Sequence, residues 1–482
     1  MALLTMTELQ RVLGARVLAG DVSRRAEQPI RHISLDTRSL RPGDLFLAIQ
    51  GERFDGHAFV GTAVSKGAIG AIVFDSYDVS TLSLTRGTKR RVPLILGVRD
   101  PLAAYQQLAA YHRSKFRIPV VAVTGSNGKT TTKEMVASVL AHRWNILKTE
   151  GNLNNRLGVP QTLFRLRRRH QAAVIEMGVD NVGQTTTLCE LVRPTIGIIT
   201  NIGPDHLEFF GSMDVSAQAK AELLDLLPVD GTAILNADDS YYDYLTSRAR
   251  CRVVSFGHSA KADVRAAKVK SDGRNGTIFH LQLPGKARHT VVHIRVQGRH
   301  NVTNALAAGA VGTVLGFPGT VIARGLSHFR PAAMRSQVRM SRGVKLIIDC
   351  YNANPASMKA AVELLAQAGE HRRTIAVLGD MLELGPNAVR MHEEVGEFVA
   401  RHGIDYVVTC GVLGGSLAQG ARQAGFDHGR IIQVADAQAA VGAVKTIVKP
   451  GDVVLIKASR GMRLELVADA LQGIKRTAKK AS

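Results

Sequence analysis

Eight consecutive residues have the types and spacing of a phosphate-binding loop. They are Thr124-Gly125-Ser126-Asn127-Gly128-Lys129-Thr130-Thr131. Glycine lets the backbone approach an anion closely, and amide groups at a helix N-terminus point towards it. In such a loop Lys129 is predicted to reach the β- and γ-phosphates of a nucleotide, and the Thr130 hydroxyl to coordinate Mg²⁺. The alternative is an ordinary strand-to-helix turn with a surface lysine.

The sequence on both sides of this loop favours phosphate binding. Residues 120–123 form an apolar run typical of a buried strand, and the apolar residues of 135–140 recur at helical spacing. Strand, glycine loop and helix is the order in which such loops bind phosphate. The loop is two residues shorter than the common form with four residues between its glycines.

Polar side chains that follow later strands are candidates for the same site. Glu176, Asn201 and Asn236 each come at the end of an apolar run, and ligands of open α/β sheets bind outside the carboxyl ends of strands. Glu176 also offers the hard oxygen that Mg²⁺ prefers. Taken alone, His206 is more typical of a hydrogen-bonded structural residue, and Lys220 would be placed facing solvent.

Near the N-terminus, Ser34, Asp36 and Arg38 place a hydroxyl, a carboxylate and a guanidinium within five residues. Such a cluster can hold the base and phosphates of a nucleotide. Without further information a capped turn with a surface salt bridge is the favoured interpretation.

The charge of the chain favours anionic partners. Lys and Arg exceed Asp and Glu by 22, as in proteins that bind nucleic acid, a membrane surface or phosphorylated substrates. The densest basic runs are 165–170 and 475–480, and such runs are more often solvated faces than binding patches. Because aromatic residues do not interleave with them, base stacking is poorly supported. A nucleotide-gated nucleic-acid binder is an alternative that rests on charge alone.

The sequence also predicts a compartment. The four cysteines, at 189, 251, 350 and 410, are far apart and have no metal-binding spacing, which favours reducing cytosol. Residues 1–14 lack the basic and apolar regions of a signal peptide. No apolar run approaches membrane-spanning length. We therefore expect a cytoplasmic protein without stable membrane insertion.

The apolar runs predict an α/β protein of three domains. Residues 1–98 form a small α/β domain with short strands at 44–49 and 71–74, and residues 101–116 form a connecting helix.

The second domain, 99–331, contains the phosphate loop. Its strands alternate with helices and predict a parallel sheet: 172–177, 196–200 and 232–235. Residues 277–283 and 290–296 alternate in hydropathy, which predicts antiparallel strands in a β-rich insertion. The third domain, 332–482, repeats the alternation and is predicted to be doubly wound and Rossmann-like, with strands at 345–350, 374–378, 406–410 and 453–457.

The short phosphate loop resembles the ATP loop of the Mur ligases, which build the peptidoglycan precursor, and that of folylpolyglutamate synthetase. The resemblance extends along nearly the whole chain. In the N-terminal domain it is carried by Ser34-Leu35-Asp36-Thr37-Arg38, Arg41-Pro42-Gly43-Asp44-Leu45-Phe46 and the loop 51–57. In the other domains it is carried by the motifs at 150–155, 176–178, 298–305, 349–355, 378–385 and 457–461.

This resemblance implies roles for matching residues. Gly125 to Thr131 would hold the ATP phosphates, and Thr130, Glu176 and His206 would bind Mg²⁺. Lys220 would be carbamoylated and its new carboxylate would help to bind a second Mg²⁺, which requires a pKa near neutral, as burial beside cations provides. The implied catalytic residues are Lys129, His206 and Lys220.

The resemblance also implies contacts to the substrates. Asn301 would contact adenine, Asp349 the ribose, and Arg335, at the hinge to the third domain, the γ-phosphate. The N-terminal domain would hold the UDP end through Ser34, Asp36 and Arg38. The implied contacts to an incoming dipeptide are Asn352, Asn354, Ser459 and Arg460.

The implied activity is that of an ATP-dependent amide ligase that forms an acyl phosphate. The motifs Tyr-Asn-Ala-Asn-Pro at 351–355 and Gly-Asp-Met-Leu-Glu-Leu-Gly at 379–385 resemble those of the branch that adds D-Ala-D-Ala to a UDP-N-acetylmuramoyl-tripeptide. We expect a monomer. The branch that adds lysine or diaminopimelate to a UDP-N-acetylmuramoyl-dipeptide is the alternative within the family. A P-loop kinase or NTPase is the alternative outside it.

Three positions depart from the family pattern. Ala221 and Ala458 stand where many relatives have glycine, and Ala333-Met334-Arg335 replaces the usual Gly-Arg pair. None of these changes removes a reactive group. Because an acyl phosphate must be kept from water, we expect the third domain to close over the second about a hinge at 331–335.

Overall fold

The structure, a computed structural model, describes residues 2–23, 26–51, 54–82, 94–272 and 276–474. Glu52 and Arg53 of the predicted loop, and the basic run 475–480, lie outside these ranges. The strands are β1 (Leu4–Thr5), β2 (Arg16–Ala19), β3 (Pro29–Ile30), β4 (Ile33–Ser34), β5 (Leu45–Leu47), β6 (Gly70–Phe74), β7 (Leu94–Val98), β8 (Val120–Thr124), β9 (Ile146–Lys148), β10 (Ala172–Glu176), β11 (Ile196–Ile199), β12 (Thr232–Asn236), β13 (Arg252–Gly257), β14 (Val264–Ser271), β15 (Thr277–Gln282), β16 (Thr290–Ile294), β17 (Gln337–Ser341), β18 (Val344–Ile348), β19 (Thr374–Gly379), β20 (Tyr406–Cys410), β21 (Ile431–Val434) and β22 (Val453–Lys457).

The helices alternate with these strands through most of the described chain. They are α1 (Met6–Leu13), α2 (Val60–Ser65), α3 (Pro101–Ser114), α4 (Lys129–Leu140), α5 (Gly158–Leu163), α6 (Gln184–Val192), α7 (Leu207–Phe210), α8 (Met213–Asp225), α9 (Tyr242–Arg248), α10 (Arg299–Val314), α11 (Gly319–His328), α12 (Pro355–Ala368), α13 (Ala388–Arg401), α14 (Gly414–Gln423), α15 (Ala437–Ile447) and α16 (Glu465–Leu471). None of the helices in the described ranges is long and apolar enough to cross a membrane.

The chain divides into two compact units. Unit 1 comprises Met1–Val120, Asn145–Met177 and Thr187–Pro194, and unit 2 comprises Val121–Trp144, Gly178–Thr186 and Thr195–Ser482. The predicted domains 1–98, 99–331 and 332–482 are continuous in sequence, whereas each of these two units combines separate segments. The predicted domain limits stay a prediction.

Unit 1 contains a five-stranded sheet in the order β2-β7-β6-β5-β4. Strands β4 to β7 are parallel to their neighbours, and β2 pairs antiparallel with β7. Buried Phe46, Val60, Val73 and Ile95 form part of its core. The predicted strands at 44–49 and 71–74 are confirmed as β5 and β6, and the predicted connecting helix as α3.

Unit 2 contains the strands β8 and β11 to β16, in the order β16-β15-β14-β13-β12-β11-β8. From β8 to β14 neighbouring strands are parallel, whereas β14, β15 and β16 are antiparallel. The alternation of buried and partly exposed residues in β15 is that of a strand with one covered face. The antiparallel strands at 277–283 and 290–296 are therefore confirmed, and they continue the strand order that begins at β8.

Unit 2 also contains a six-stranded sheet in the order β17-β18-β22-β19-β20-β21. All neighbouring strands are parallel except β17 and β18. The chain moves in one direction from β18 to β21 and then returns to β22. Right-handed crossovers consequently place α12, α13 and α14 on one face and α15 on the other, in two separate core clusters. The last helix, α16, packs in the same cluster as α15. This is the predicted doubly wound arrangement.

Candidate active site

The phosphate-binding loop lies in unit 2 between β8 and α4. Gly128 precedes the first helical residue, Lys129, with φ of 80°, and Gly125 has φ of 131°. Both values lie in the region that favours glycine. A Cβ on Gly125 would overlap the Thr200 hydroxyl, and one on Gly128 would overlap the side-chain oxygen of Asn304. The two glycines are therefore needed both for backbone conformation and for close packing.

Replacing Gly128 with alanine is expected to destabilise the protein by about 2–4 kcal/mol, which combines the strain of a positive φ with a steric overlap. Asn304 cannot retreat freely, because its oxygen accepts a hydrogen bond from Thr132 at 3.2 Å. The matched control is Gly183→Ala, at φ of 85° and with open space around the added Cβ. Thermal denaturation should show a clearly larger loss for Gly128→Ala. Equal losses of stability in the two variants would mean that the Asn304 side chain moves aside at little cost.

The segment after β11 holds the loop in place. Thr200 Oγ1 and Asn201 Nδ2 donate to the Asn127 carbonyl at 2.6 and 3.0 Å, and Asn127 N donates to Asn201 Oδ1 at 3.0 Å. Because β8 and β11 are parallel neighbours, their carboxyl ends meet at one edge. The polar strand end at Asn201 therefore acts by positioning the loop, and Asn236 Nδ2 donates to the Thr200 carbonyl at 3.2 Å.

The side chain of Lys129 folds back over the phosphate loop. Its Nζ donates to the carbonyls of Gly125 and Ser126 and lies 3.9 Å from Asp205 Oδ2. The ammonium is thus next to the loop amides that would face phosphate oxygens. It must exchange these carbonyl contacts for a phosphate in order to perform its predicted role.

Asp205 is a residue of the candidate site that sequence reasoning did not single out. It is 5 % exposed, and its Oδ1 accepts from Ser126 Oγ at 2.5 Å and from Lys220 Nζ at 3.2 Å. Burial by itself would raise the pKa of Asp205, but the ammonium groups of Lys220 and Lys129 hold that pKa below its usual value. The available signal was its position directly before His206 in the motif Asn-Ile-Gly-Pro-Asp-His.

Lys220 is buried, at 1 % exposure, on the inner face of α8. Its Nζ donates to Ser216 Oγ at 2.6 Å and lies 4.7 Å from the centre of the Phe210 ring. Burial lowers the pKa of Lys220 to about 8, and Lys129 adds to this effect while Asp205 opposes it. The expectation that Lys220 taken alone faces solvent is wrong, because α8 buries most residues from Ser216 to Leu224.

His206 is held by a residue from the third predicted domain. Its Nδ1 lies 2.5 Å from Glu383 Oε2, and the backbone of Glu383 accepts from Glu208 N at 3.1 Å. Both His206 and Glu383 have positive φ, 51° and 64°. The Leu-Glu-Leu-Gly part of the motif at 379–385 therefore contacts the predicted metal ligand.

The other two predicted metal ligands lie in different units. Thr130 is buried in the first turn of α4. Glu176 ends β10 in unit 1, where its Oε1 accepts from Asn154 Nδ2 at 2.9 Å. In the described ranges, no group of three or more His, Cys, Asp or Glu side chains is arranged to hold a metal ion.

A cavity of about 330 Å³ in unit 2 lies beside the predicted adenine residue. Its wall includes Asn236, His258 and three residues that precede or follow the start of α10: Gly298, His300 and Thr303. Asn301 itself is buried, and its Nδ2 donates to the Gln297 carbonyl at 2.7 Å. The volume lies at the lower end of that of small-molecule sites, so the cavity can accept a planar base.

The predicted ribose contact Asp349 is paired with Lys457, with 2.6 Å between Oδ2 and Nζ, and its Oδ1 accepts from Ser336 N at 2.9 Å. Arg335 places its guanidinium 4.2 Å from the centre of the Tyr351 ring. Met334 and Ser336, on either side of it, have φ of 60° and 46°. The backbone is therefore strained at two positions at the expected hinge.

The predicted dipeptide contacts all have partners within unit 2. Asn354 caps α12, and its Nδ2 donates to Asn127 Oδ1 of the phosphate loop at 2.8 Å. Ser459 Oγ accepts from Leu382 N at 2.9 Å, and Arg460 pairs with Glu465 at 2.8 Å. The Asn352 carbonyl accepts from Lys457 Nζ at 3.1 Å. Asn354 thereby connects the Tyr-Asn-Ala-Asn-Pro motif directly to the phosphate loop.

The predicted UDP contacts in unit 1 form a capped turn. Ser34 Oγ donates to the Asp36 carbonyl at 3.0 Å, and Asp36 Oδ2 pairs with Arg38 at 2.9 Å. Hydrogen bonds from Arg38 hold the pKa of Asp36 below its usual value. The local interpretation as a capped turn with a salt bridge therefore describes these contacts. Arg38 is exposed, with its side chain available to a ligand.

The chain is similar to known proteins in sequence and in structure. Three family models match the chain: "Mur ligase family, catalytic domain" at 29–112, "Mur ligase middle domain" at 123–312 and "Mur ligase, glutamate ligase domain" at 334–460. The UDP-N-acetylmuramoyl-tripeptide–D-alanyl-D-alanine ligase of Bacillus subtilis is 36% identical over 449 residues, which cover 92% of this chain and 94% of the relative.

Two solved structures are similar along most of the chain. MurF from Acinetobacter baumannii has a TM-score of 0.87 and 32% identity, with 97% of this chain and 98% of that chain covered. MurF from Thermotoga maritima in complex with ADP has a TM-score of 0.79 and 27% identity, with coverage of 92% and 97%. The match extends over all three domains at more than 30% identity with the Bacillus subtilis and Acinetobacter baumannii proteins, and the chain belongs to the Mur ligase family.

Proposed function

We propose that the protein is an ATP-dependent amide ligase that joins D-Ala-D-Ala to a UDP-N-acetylmuramoyl-tripeptide. The observation that carries this proposal is the buried contact of Lys220 with Asp205, which also binds Ser126 of the phosphate loop. A simple nucleotidase needs the loop but has no use for a buried lysine of lowered pKa. The names of the relatives supply the identity of the two substrates.

The chemistry begins with a peptide carboxylate, which is a poor electrophile at neutral pH. Transfer of the γ-phosphoryl group of ATP to a carboxylate oxygen forms an acyl phosphate and releases ADP. Negative charge spreads over the phosphoryl oxygens in this step, so Lys129 and the loop amides act by electrostatic stabilisation. The amine of D-Ala-D-Ala then attacks the acyl carbon, and inorganic phosphate leaves.

Positioning residues hold this apparatus in place. Asp205 binds Ser126, lies close to Lys129 and accepts from Lys220, so a single carboxylate fixes three groups of the site. Asn354 links the third predicted domain to Asn127. We propose that closure about residues 331–335 brings the dipeptide contacts to the acyl phosphate and excludes water.

The donor groups fit a Mg²⁺ ion that arrives with a nucleotide. Mg²⁺ usually takes one or two protein oxygens and completes its octahedron with phosphates and waters. The Thr130 hydroxyl, at the start of α4, has the position that a phosphate loop gives to its metal ligand. Glu176 and His206 stay proposed Mg²⁺ ligands, and a carbamoylated Lys220 would help to bind a second Mg²⁺. The ion would neutralise charge on the phosphate oxygens.

Uptake of CO₂ by Lys220 is expected to rise from pH 6 and to level off above pH 8, because only the neutral amine forms the nitrogen–carbon bond. With its pKa at about 8 instead of 10.5, roughly a tenth of this amine is neutral at pH 7 and about half at pH 8. The ¹³C NMR signal of the carbamate in ¹³C-bicarbonate, at fixed dissolved CO₂, measures this. A signal that rises steadily to pH 10 would indicate an ordinary lysine.

The proposed function is tested by phosphate release from ATP in the presence of Mg²⁺ and UDP-N-acetylmuramoyl-tripeptide, with and without D-Ala-D-Ala. We expect release only with the dipeptide, and a product heavier by two alanine residues. Turnover without the dipeptide would indicate a kinase or NTPase. Addition of lysine or diaminopimelate to the UDP-dipeptide instead would assign the protein to the other branch of the family.

A further inference from the structure

A second cavity, in unit 1, takes no part in the reaction proposed above. It is open to solvent, has a volume of about 800 Å³ and is lined by residues at 28–32 and 39–44, by Ile69 and by Arg167. The first three of these segments precede β4, β5 and β6, so the cavity lies at the amino ends of three neighbouring parallel strands. None of the predicted UDP contacts Ser34, Asp36 and Arg38 lines it.

The wall of this cavity carries more positive than negative charge. Arg31, Arg41 and Arg167 are three lining residues with guanidinium side chains, and Asp44 is the one acidic residue among them. Asp44 is buried and already accepts from Arg41 N at 2.9 Å and contacts His32 Nδ1 at 3.0 Å. The side chains of Arg31 and Arg41 have no hydrogen bond or ion pair with any other residue that the structure describes.

Arg167 presents a guanidinium that is already fixed. Its Nη1 donates to the carbonyls of Phe164 and Leu166, both at 2.7 Å. Burial lowers the pKa of Arg167, and the neighbouring guanidinium groups of Arg169 and Arg165 lower it further. Arg167 therefore lies close to two further positive groups. Because Arg167 is held by backbone carbonyls, a ligand would not have to order it.

The concave arrangement of the positive residues favours binding of a small anion over binding of a long polymer. A concave positive surface focuses the electrostatic field on one point, and the guanidinium fork matches phosphate oxygens in pairs. The three arginines come from separate segments and line a single cavity. Its volume is within the range of small-molecule sites and exceeds what one phosphate ion needs.

We propose that this cavity binds a small molecule with two or more linked phosphoryl groups, such as inorganic pyrophosphate or a nucleoside diphosphate. The site is independent of the phosphate loop and does not rest on the proposed ligase function. Such a ligand connects the segments around β4 and β5 with the Arg167 segment, so its binding stabilises unit 1 by mass action.

The test is calorimetric titration of the full chain with inorganic pyrophosphate at constant salt. The cavity variant is Arg31→Gln with Arg41→Gln. The matched control is Arg168→Gln with Arg169→Gln, which removes the same charge from exposed residues of the same unit that do not line the cavity. Because pyrophosphate is expected to bind the phosphate loop as well, Lys129→Gln identifies that component.

We expect the cavity variant to weaken one binding component about tenfold or more, with that component intact in the control and in Lys129→Gln. Thermal denaturation should show a rise in melting temperature with pyrophosphate that is smaller in the cavity variant than in the control, because the phosphate loop still binds pyrophosphate in both. Equal weakening of binding in both double variants would mean that pyrophosphate responds only to the overall charge of the protein, which contradicts the proposal. Loss of all binding in Lys129→Gln would mean that pyrophosphate binds only at the phosphate loop, which also contradicts it. If the cavity variant changed only binding to phosphatidylglycerol vesicles, the ligand would be a lipid surface and the proposal would fail.

Discussion

Replacing Lys220 with arginine is expected to lower kcat by about 10²–10³-fold, the loss typical of removing one group that stabilises transition-state charge. Arginine keeps the positive charge beside Asp205, but a guanidinium does not lose its proton and cannot take up CO₂. The carboxylate proposed to help bind the metal would therefore be missing. Steady-state phosphate release, together with the ¹³C NMR signal of the carbamate, measures both losses.

The control for this variant is Lys133→Arg. Lys133 and Lys220 are both about 1% exposed, so both changes force a larger head group into a packed site, but Lys133 has no proposed catalytic role. We expect the control to retain kcat within a few-fold and both variants to stay folded by thermal denaturation. Near-normal turnover in Lys220→Arg would show that Lys220 serves only as the charged partner of Asp205.

Replacing Asp205 with asparagine is expected to destabilise the protein by about 3 kcal/mol near pH 6.5, because it leaves the buried Lys220 ammonium without its carboxylate. The loss should shrink as pH rises. Asp205 raises the pKa of Lys220, so in the variant this pKa falls below about 8 and the lysine can stay buried as a neutral amine. Above pH 9 Lys220 is largely neutral in both proteins, and only hydrogen bonds are lost.

Thermal denaturation of both proteins at pH 6.5 and pH 9 tests this dependence. The control is Asp239→Asn, since Asp239 is partly buried and accepts from the backbone amides of Ile202 and Tyr241, at 2.8 and 2.9 Å, without a lysine partner. Its loss of stability should be similar at the two pH values. A loss for Asp205→Asn that does not change with pH would mean that the Lys220–Asp205 pair is not the main interaction of this carboxylate.

At the level of sequence, anionic partners explained only part of the positive charge of the chain. The run 165–170 was expected to be a solvated face, and Arg168 and Arg169 are indeed exposed. Arg167 of the same run instead lines the cavity in unit 1 with Arg31 and Arg41. Charge counting could not distinguish these residues, because their positions depend on segments more than 120 residues away in the chain.

The sequence by itself determined the elements and their class. Apolar runs at 120–123, 196–200 and 453–457 form strands, and the phosphate loop lies between strand and helix, because local hydropathy and glycine content act within a few residues. Alternating strands and helices then predict parallel sheets, since βαβ connections have one hand. The predicted antiparallel strands at 277–283 and 290–296 also follow from local alternation.

Only the tertiary structure decided which polar groups meet. Lys220 was assigned to solvent by its neighbours in sequence, whereas the packing of α8 buries it against Asp205, which the sequence did not single out. The contact of Asn354 with Asn127 joins residues 227 positions apart. A side chain's burial, pKa and partners depend on the elements that pack around it. No local pattern contains that information, because the neighbours come from distant parts of the chain.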